Sequence, residues 1–279
     1  MPGTLYVTDL DGTLLTRDDR ISSESLRMLN ALVEDGLSLT YATARSLSSA
    51  RIVTQGLRLR LPVIVYNGAF IRDAFTGENL YSVSFSPQQQ AEMQILAKRF
   101  SLYPLVYAFI DGHERVSWLT AHENDGIARY LSLRQSDPRL RPLIDERALF
   151  AGDAFYYTFI GARESLLPLH EALNGLPGYT CTLQQELYRP EFWCEVMPKQ
   201  ATKAAAAAKL KSLLGFERIV AFGDAVNDIP LFEMADEAYA VQNAVKPLLE
   251  AADGVIGSND EDGVARFLRD HFACRRPSK

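Results

Sequence analysis

The chain has 279 residues, 47% of them apolar and 23% charged, with a formal net charge of −6. That is enough chain for one large domain or two ordinary ones, with the composition of a soluble globular protein. The absence of a basic excess argues against a nucleic-acid partner, and no uncharged apolar run approaches the ~20 residues that a bilayer span needs.

In chain order, residues 4–9 read as a short apolar strand. Residues 22–34 follow with apolar positions at helical spacing, a serine cap at Ser22 or Ser23 and a stop at Gly36. A strand over 37–42, a helix over 46–57 and a strand over 62–66 come next. Strand, helix, strand, helix, strand predicts a parallel sheet with helices on its faces. Asn67-Gly68 turns the chain, and 69–72 with 80–82 read as a hairpin around Thr76-Gly77.

The pattern changes near Phe85. Pro87 opens a glutamine-rich helix to residue 100, and strands over 105–110 and 115–119 flank Asp111-Gly112. A helix over 121–133, a strand over 155–160, a helix over 164–173 and strands over 179–183 and 192–196 complete this stretch. Hairpins interleaved with helices predict an α+β insert. The α/β alternation then resumes with an alanine-rich helix over 203–214 ended by Gly215. Strands over 218–222, 239–241 and 254–256 follow, with helices over 229–234, 245–251 and 263–271. The fold class expected is α/β, a doubly wound, Rossmann-like parallel sheet, with the core at 1–83 and 192–279 and the inserted domain at 84–191.

Three cysteines, Cys181, Cys194 and Cys274, are irregularly spaced and form no C-x-x-C, so neither a disulfide framework nor a zinc site is indicated. The start of the chain has no basic segment followed by an apolar one, so no signal peptide is expected. A cytoplasmic location is the expectation.

Chemistry concentrates at strand ends. Val7-Thr8-Asp9-Leu10-Asp11-Gly12 closes the first strand with two carboxylates at i and i+2, which on a strand point to the same face. Two carboxylates so placed repel unless a cation lies beside them. The simpler alternative is a polar strand end before a glycine turn. Gly223-Asp224-Ala225-Val226-Asn227-Asp228 ends a second apolar strand the same way. In doubly wound sheets ligands bind at the carboxyl ends of strands where the strand order reverses, and an all-oxygen donor set selects Mg²⁺. Thr43-Ala44-Arg45 brings a hydroxyl, a backbone N–H and a cation to a helix start, a place for a phosphate oxygen. Lys203 opens the alanine-rich helix; alone it reads as an exposed helix lysine, but it could neutralise Asp9 and a phosphate. Asp260-Glu261-Asp262-Gly263 lacks the first aspartate of a calcium loop, where Ser258 stands, and reads as a helix entry.

Asp9-Leu10-Asp11-Gly12-Thr13-Leu14, then Thr43-Ala44-Arg45, then Lys203, then Gly223–Asp228, in that order, resemble the haloacid dehalogenase (HAD) superfamily. Asn67-Gly68-Ala69, the insert and Ser258–Ala265 make the chain similar to its Cof-type branch, whose members are Mg²⁺-dependent phosphatases, mostly of sugar phosphates, with a C2B-type α+β cap. The resemblance implies Asp9 as the nucleophile that becomes an aspartyl phosphate, and Asp11 as general acid and then general base. It implies Mg²⁺ ligation by the Asp9 carboxylate, the Asp11 backbone carbonyl and Asp224, with Asp228 direct or through water. Thr43, Lys203 and the Leu10 and Ala44 N–H groups would hold the phosphoryl oxygens. Arg45, Asn67 and Asn227 would contact phosphate or substrate. Ala44 stands where glycine is usual, Val241-Gln242-Asn243-Ala244 replaces Met-Gly-Asn-Ala, and Ala204 follows Lys203 where glycine is frequent; none removes a charged catalytic group. The partner expected is a small phosphorylated substrate, with no nucleic acid and no membrane. Two other readings stand beside a phosphatase. One is a phosphomutase of the phosphomannomutase type, which would need cap cations such as Arg115, Arg129, Arg134, Arg139, Arg141 and Arg147. The other is a non-catalytic metabolite-binding regulator.

Overall fold

The computed structural model describes residues 3–185 and 189–274, without the side chains of residues 273 and 274. Met1, Pro2, residues 186–188 of the expected insert and the Cys274 side chain lie outside the described residues. The chain divides into two compact units, residues 1–82 with 200–279, and 83–199.

The first unit is built on a parallel sheet. Strands β1 (Thr4–Thr8) and β2 (Leu39–Tyr41) are separated in sequence by helix α1 (Ser23–Glu34). Helix α2 (Leu47–Val53) leads to β3 (Val63–Val65), β4 (Phe70–Arg72) and β5 (Asn79–Ser82). The sequence period places β3 in the parallel sheet. Instead β3, β4 and β5 form their own antiparallel sheet, joined to the core by one parallel bridge, Ala42 to Ile64. The Tyr66–Gly68 turn sends the chain straight back as β4 along one edge of β3, and on its other edge β3 keeps only the bridge to Ala42, with the Thr43 N–H donating to Ile64 O at 3.0 Å.

The second unit holds α3 (Pro87–Phe100), β6 (Leu105–Ile110), β7 (His113–Leu119), α4 (Asp125–Ser132), β8 (Leu140–Leu143), β9 (Asp153–Gly161), α5 (Arg163–Asn174), β10 (Tyr179–Gln185) and β11 (Phe192–Pro198). Its six strands run in the order β10-β11-β9-β6-β7-β8. The helix expected over 121–133 begins only at Asp125, because Asn124 caps it by accepting the Ile127 N–H. Strand β8 is not legible from sequence: Pro142 and Arg141 mask it, and it survives as an edge strand parallel to β7. The expected return to the core at residue 192 is also corrected. β11 pairs with β9 and β10 and completes the second unit's sheet. Its core packs Val106, Ala108, Tyr157, Phe159, Cys194 and Val196 against Met93, Leu166, Leu169 and Leu173 of α3 and α5.

The chain re-enters the first unit through α6 (Lys203–Leu214), then β12 (Arg218–Gly223), α7 (Ile229–Met234), β13 (Glu237–Val241), α8 (Lys246–Ala251), β14 (Gly254–Ile256) and α9 (Gly263–Cys274). The parallel sheet has the order β14-β13-β12-β1-β2. Chain order reverses between β1 and β12, so the crevice of a doubly wound sheet falls at their carboxyl ends. The register pairs Thr8 with Phe222, so Asp9 and Asp224 leave the ends of neighbouring strands one position out of step, with their carboxylates close together. Among the described residues, no helix is long and apolar enough to cross a membrane.

Candidate active site

Three elements deliver charge to the β1–β12 crevice. β1 is wholly buried along Leu5, Tyr6, Val7 and Thr8, and the Asp9 N–H donates to Phe222 O at 3.0 Å. This carries a carboxylate that is only 5% exposed into the floor of the site. β12 ends at Gly223, and the following turn folds Asp228 back beneath it: Asp228 Oδ2 accepts the N–H groups of Asp224 and Ala225, each at 3.1 Å. A Cβ on Gly223 would stand 2.6 Å from that carboxyl carbon. The third element is α6. Thr202 caps it by accepting the Ala205 N–H, and the buried Ala206 and Ala207 let the helix lie close to its neighbours.

Lys203 therefore does not behave as an exposed helix lysine; it is 2% exposed. Its Nζ donates to Asp9 Oδ1 at 2.8 Å and to Asp228 Oδ1 at 2.7 Å. Carboxylate oxygens of Asp9, Asp224 and Asp228 all lie within 4.8 Å of one another. Asp224 is held by the Thr13 hydroxyl at 2.9 Å. Gly12, at φ +71°, is required twice over, since a Cβ there would meet Asp224 Oδ2 at 2.3 Å.

Three carboxylates against one ammonium leave negative charge in excess, and the ionisation equilibria respond. Burial, with Asp228 and Asp224 adding to it against the pull of Lys203, pushes Asp9 up to about 8. Burial and the Asp228 charge push Asp224 up to about 6, against the Thr13 hydrogen bond and Lys203. Burial alone would lower Lys203, but Asp9 and Asp228 outweigh it and raise it. A divalent cation with oxygen preference fits this donor set on its chemistry: it removes the charge excess, and no histidine or cysteine is among the donors.

Asp11 does not join this cluster. β1 ends at Thr8, so the two-residue strand period no longer applies at Asp9 and Asp11, and the expectation that both carboxylates share a face fails. The Asp11 side chain is 47% exposed and gripped by Arg45, Nε to Oδ2 at 2.9 Å and Nη2 to Oδ1 at 2.5 Å. Arg45 also pairs with Asp19. Sequence reasoning missed Asp19; its left-handed backbone, φ +61°, is a turn signal that Asp18-Asp19 carried in outline.

The remaining candidates form the wall. Thr43 is fully buried, and its hydroxyl accepts the Arg45 N–H at 3.1 Å. Leu10 is buried, and neither its N–H nor that of Ala44 meets an acceptor among the described residues. Asn67 accepts from Asn227 Nδ2 at 3.2 Å. Tyr66 and Asn67 both adopt positive φ, 51° and 53°, ahead of Gly68 at 99°, the kind of strain that gathers at functional sites. Gly68 lets this turn approach α6, since a Cβ there would fall 2.1 Å from Thr202 O.

Asn243 Nδ2 donates to Gly12 O at 2.7 Å and was noted in the sequence only as part of a variant motif. Ser258–Ala265 proves to be a brace. Asn259 Nδ2 donates to Leu15 O at 2.8 Å, Asp260 pairs with Arg17, and Asp262 accepts the hydroxyls of Ser22 and Ser25 at the start of α1.

Residues 6–268 match the model of the haloacid dehalogenase-like hydrolase family. The chain belongs to that family. It is an enzyme of the hydrolase class, and the relatives named below are phosphatases. It is 25% identical to the 5-amino-6-(5-phospho-D-ribitylamino)uracil phosphatase YitU of Bacillus subtilis, over 96% of this chain and 97% of the relative. It is 29% identical to the HMP-PP phosphatase of Klebsiella pneumoniae, over 95% and 94%. The crystal structure of TM0651 from Thermotoga maritima superposes with a TM-score of 0.77 at 25% identity, over 100% of this chain and 99% of that one. The HAD subclass IIB sugar phosphatase BT4131 shares the fold at a TM-score of 0.71 and 23% identity, over 97% and 99%.

Proposed function

We propose that this HAD hydrolase is a cytoplasmic, Mg²⁺-dependent phosphatase that cleaves a small phosphorylated metabolite, of the sugar-phosphate kind, through an aspartyl phosphate on Asp9. The observation that carries the reading is the buried Lys203 ammonium held between Asp9 and Asp228 beside Asp224. A carboxylate attacking a phosphate dianion must have its charge repulsion cancelled, and this site concentrates the means to do so. The relatives named 5-amino-6-(5-phospho-D-ribitylamino)uracil phosphatase and HMP-PP phosphatase support a small phosphorylated substrate.

Asp9, Asp224 and the Asp11 backbone carbonyl would hold Mg²⁺, which when bound supplies positive charge to the phosphoryl oxygens. Asp228 has one oxygen on Lys203 and the other on two backbone N–H groups. Its first role is to fix Lys203, with metal contact secondary. Thr43, Lys203 and the Leu10 and Ala44 N–H groups bind the phosphoryl oxygens; Arg45, Asn67 and Asn227 contact phosphate or substrate.

In the first step an Asp9 oxygen forms a bond to phosphorus, the ester P–O bond breaks, and Asp11 gives its proton to the leaving alcohol. In the second, water attacks phosphorus, Asp11 takes the water's proton, and the Asp9–phosphorus bond breaks to release inorganic phosphate. Two steps of low barrier replace one of high barrier. The inserted domain, 84–191 in the sequence reading, is assigned the selection of substrate as a C2B-type cap.

The test is a phosphate-release screen over sugar, nucleotide, flavin and pyridoxal phosphates with and without Mg²⁺. Metal-dependent release from at least one class is expected. An isomerised hexose phosphate in place of free phosphate would establish the mutase instead, and no turnover of any ester would establish the non-catalytic reading.

A further inference from the structure

The second unit carries a cavity of about 360 Å³ lined by Ile110, Asp111, His113, Arg115, Leu140 and Arg141. The sheet register explains its chemistry. Ala108 pairs with Arg115 and Val106 with Ser117 across β6 and β7, while Ser117 pairs with Arg141 across β7 and β8. Directly paired residues share a sheet face. Val106 and Ala108 belong to the core covered by α3 and α5, so Arg115, Ser117 and Arg141 continue that same face onto the edge strands. Where an apolar strand would carry on the core, this sheet turns cationic.

The arginines on this face are not alike. Arg139, immediately before β8, is neutralised by Glu114 at 2.6 Å and Asp137 at 2.5 Å. Arg115 and Arg141 meet no carboxylate among the described residues. Each is positioned by neutral acceptors: Arg115 Nη1 donates to Pro138 O at 2.7 Å, and Arg141 Nη1 donates to the Ser117 hydroxyl and to Ala148 O, both at 3.2 Å. Anchoring through Nη1 orients each guanidinium yet leaves its charge and other N–H donors unspent. Planar guanidinium groups with N–H pairs to spare match the oxygens of phosphate or carboxylate. A carbonyl-anchored pair has also lost part of its rotamer freedom before any ligand arrives. Ile110 and Leu140 give the cavity apolar wall, and Asp111 can accept from a ligand hydroxyl.

We propose that Arg115 and Arg141 form an anion site in the second unit, for a small hydroxylated metabolite bearing a phosphate or carboxylate group. The residues that line the site fall within 110–141, Arg141 is anchored from outside that span by Ala148 O, and none of them belongs to the Asp9–Lys203 cluster. It stands or falls independently of the reaction assigned to that cluster.

His113 provides a local reporter. In the full-length protein, its imidazole carbon–proton NMR signal is assigned by loss in His113→Gln and followed during titration with inorganic phosphate. A second titration uses citrate, with sodium chloride matching the ionic strength. A saturable shift with phosphate is expected for a phosphate site, and with citrate for a carboxylate site. Arg115→Gln and Arg141→Gln should each weaken the responsive anion at least ten-fold, and Arg115→Lys should restore part of the response. Unchanged His122 and His170 signals show that the variants remain folded. A His113 signal that moves with neither anion, that only tracks ionic strength, or that responds equally in both glutamine variants would overturn the proposal. Because hydrolysis is not the readout, loss of catalysis in a phosphate screen leaves this result unaffected.

Discussion

Arg45 holds the Asp11 carboxylate in a two-pronged grip while Asp9, two residues upstream, faces Lys203. Neighbours in sequence are thereby given opposite environments: Asp9 is desolvated, and Asp11 is half exposed on a guanidinium. Under the proposed function Asp9 is the nucleophile and Asp11 the proton carrier, so the two tasks fall to carboxylates in different surroundings. For Arg45→Ala we expect a kcat/KM loss of roughly 10²-fold through misplacement of Asp11. The melting midpoint should hardly move, since a half-exposed ion pair contributes ~1 kcal/mol or less. Steady-state kinetics beside a thermal melt separates the two; unchanged kinetics would detach Arg45 from the reaction.

Asp9→Asn should fold and lose turnover by at least ~10³-fold, because an amide oxygen is a poor nucleophile toward phosphorus. Mass spectrometry of acid-quenched enzyme should find a phosphoryl adduct on wild type and none on this variant. Hydrolysis at wild-type rate would remove Asp9 from the mechanism.

Lys203→Ala leaves Asp9 and Asp228 buried without their shared cation. A broken buried charge network costs about 3–5 kcal/mol, so denaturant melts should show a loss of that order together with lost activity. Stability equal to wild type would mean that Lys203 does not pair with Asp9 and Asp228 in solution.

The pH dependence has a definite sign. Asp9 and Asp224 have folded-state values raised to about 8 and about 6, above the 3.8 of the unfolded chain. Between those limits the folded state binds more protons than the unfolded one, so metal-free stability falls as pH rises from about 4 to about 8. For Asp224 alone the loss is on the order of 3 kcal/mol. Mg²⁺ should restore stability, and by more at pH 8 than at pH 5. Melting curves in EDTA and in Mg²⁺ at both values check this; an equal metal effect at the two pH values would contradict it.

Gly68→Ala tests a close approach rather than a charge. At φ +99°, with Thr202 O 2.1 Å from the added Cβ, the turn must move away from the start of α6. A loss on the order of 3 kcal/mol is expected, with Lys203 displaced and activity reduced. Gly36→Ala, also at positive φ but with nothing within 4 Å of the new Cβ, is the control and should cost less.

Much of the fold was legible because its signals are local. Apolar strands ending in Asp9 and Asp224, the serine cap of α1 and the Gly215 stop of α6 depend on residues adjacent in the chain. The errors are non-local. β3 forms a sheet with β4 and β5 and keeps only one parallel bridge to the core, and β11 joined the insert because its partners β9 and β10 lie there. β8 is an edge strand whose Pro142 hides it from any pattern of alternation.

The sequence by itself determined the family, the α/β order and the set of charged groups at strand and helix ends. Motif chemistry requires particular residue types at particular spacings, and those are written in the chain. Tertiary structure alone decided what each charge does. Lys203 is an ordinary helix lysine until α6 buries it between two aspartates brought from β1 and β12. Asp11 is a partner of Asp9 until the strand ends one residue too soon and Arg45 takes it. Charge–charge energies depend on distance and on exclusion of water, and both are set by residues far apart in sequence.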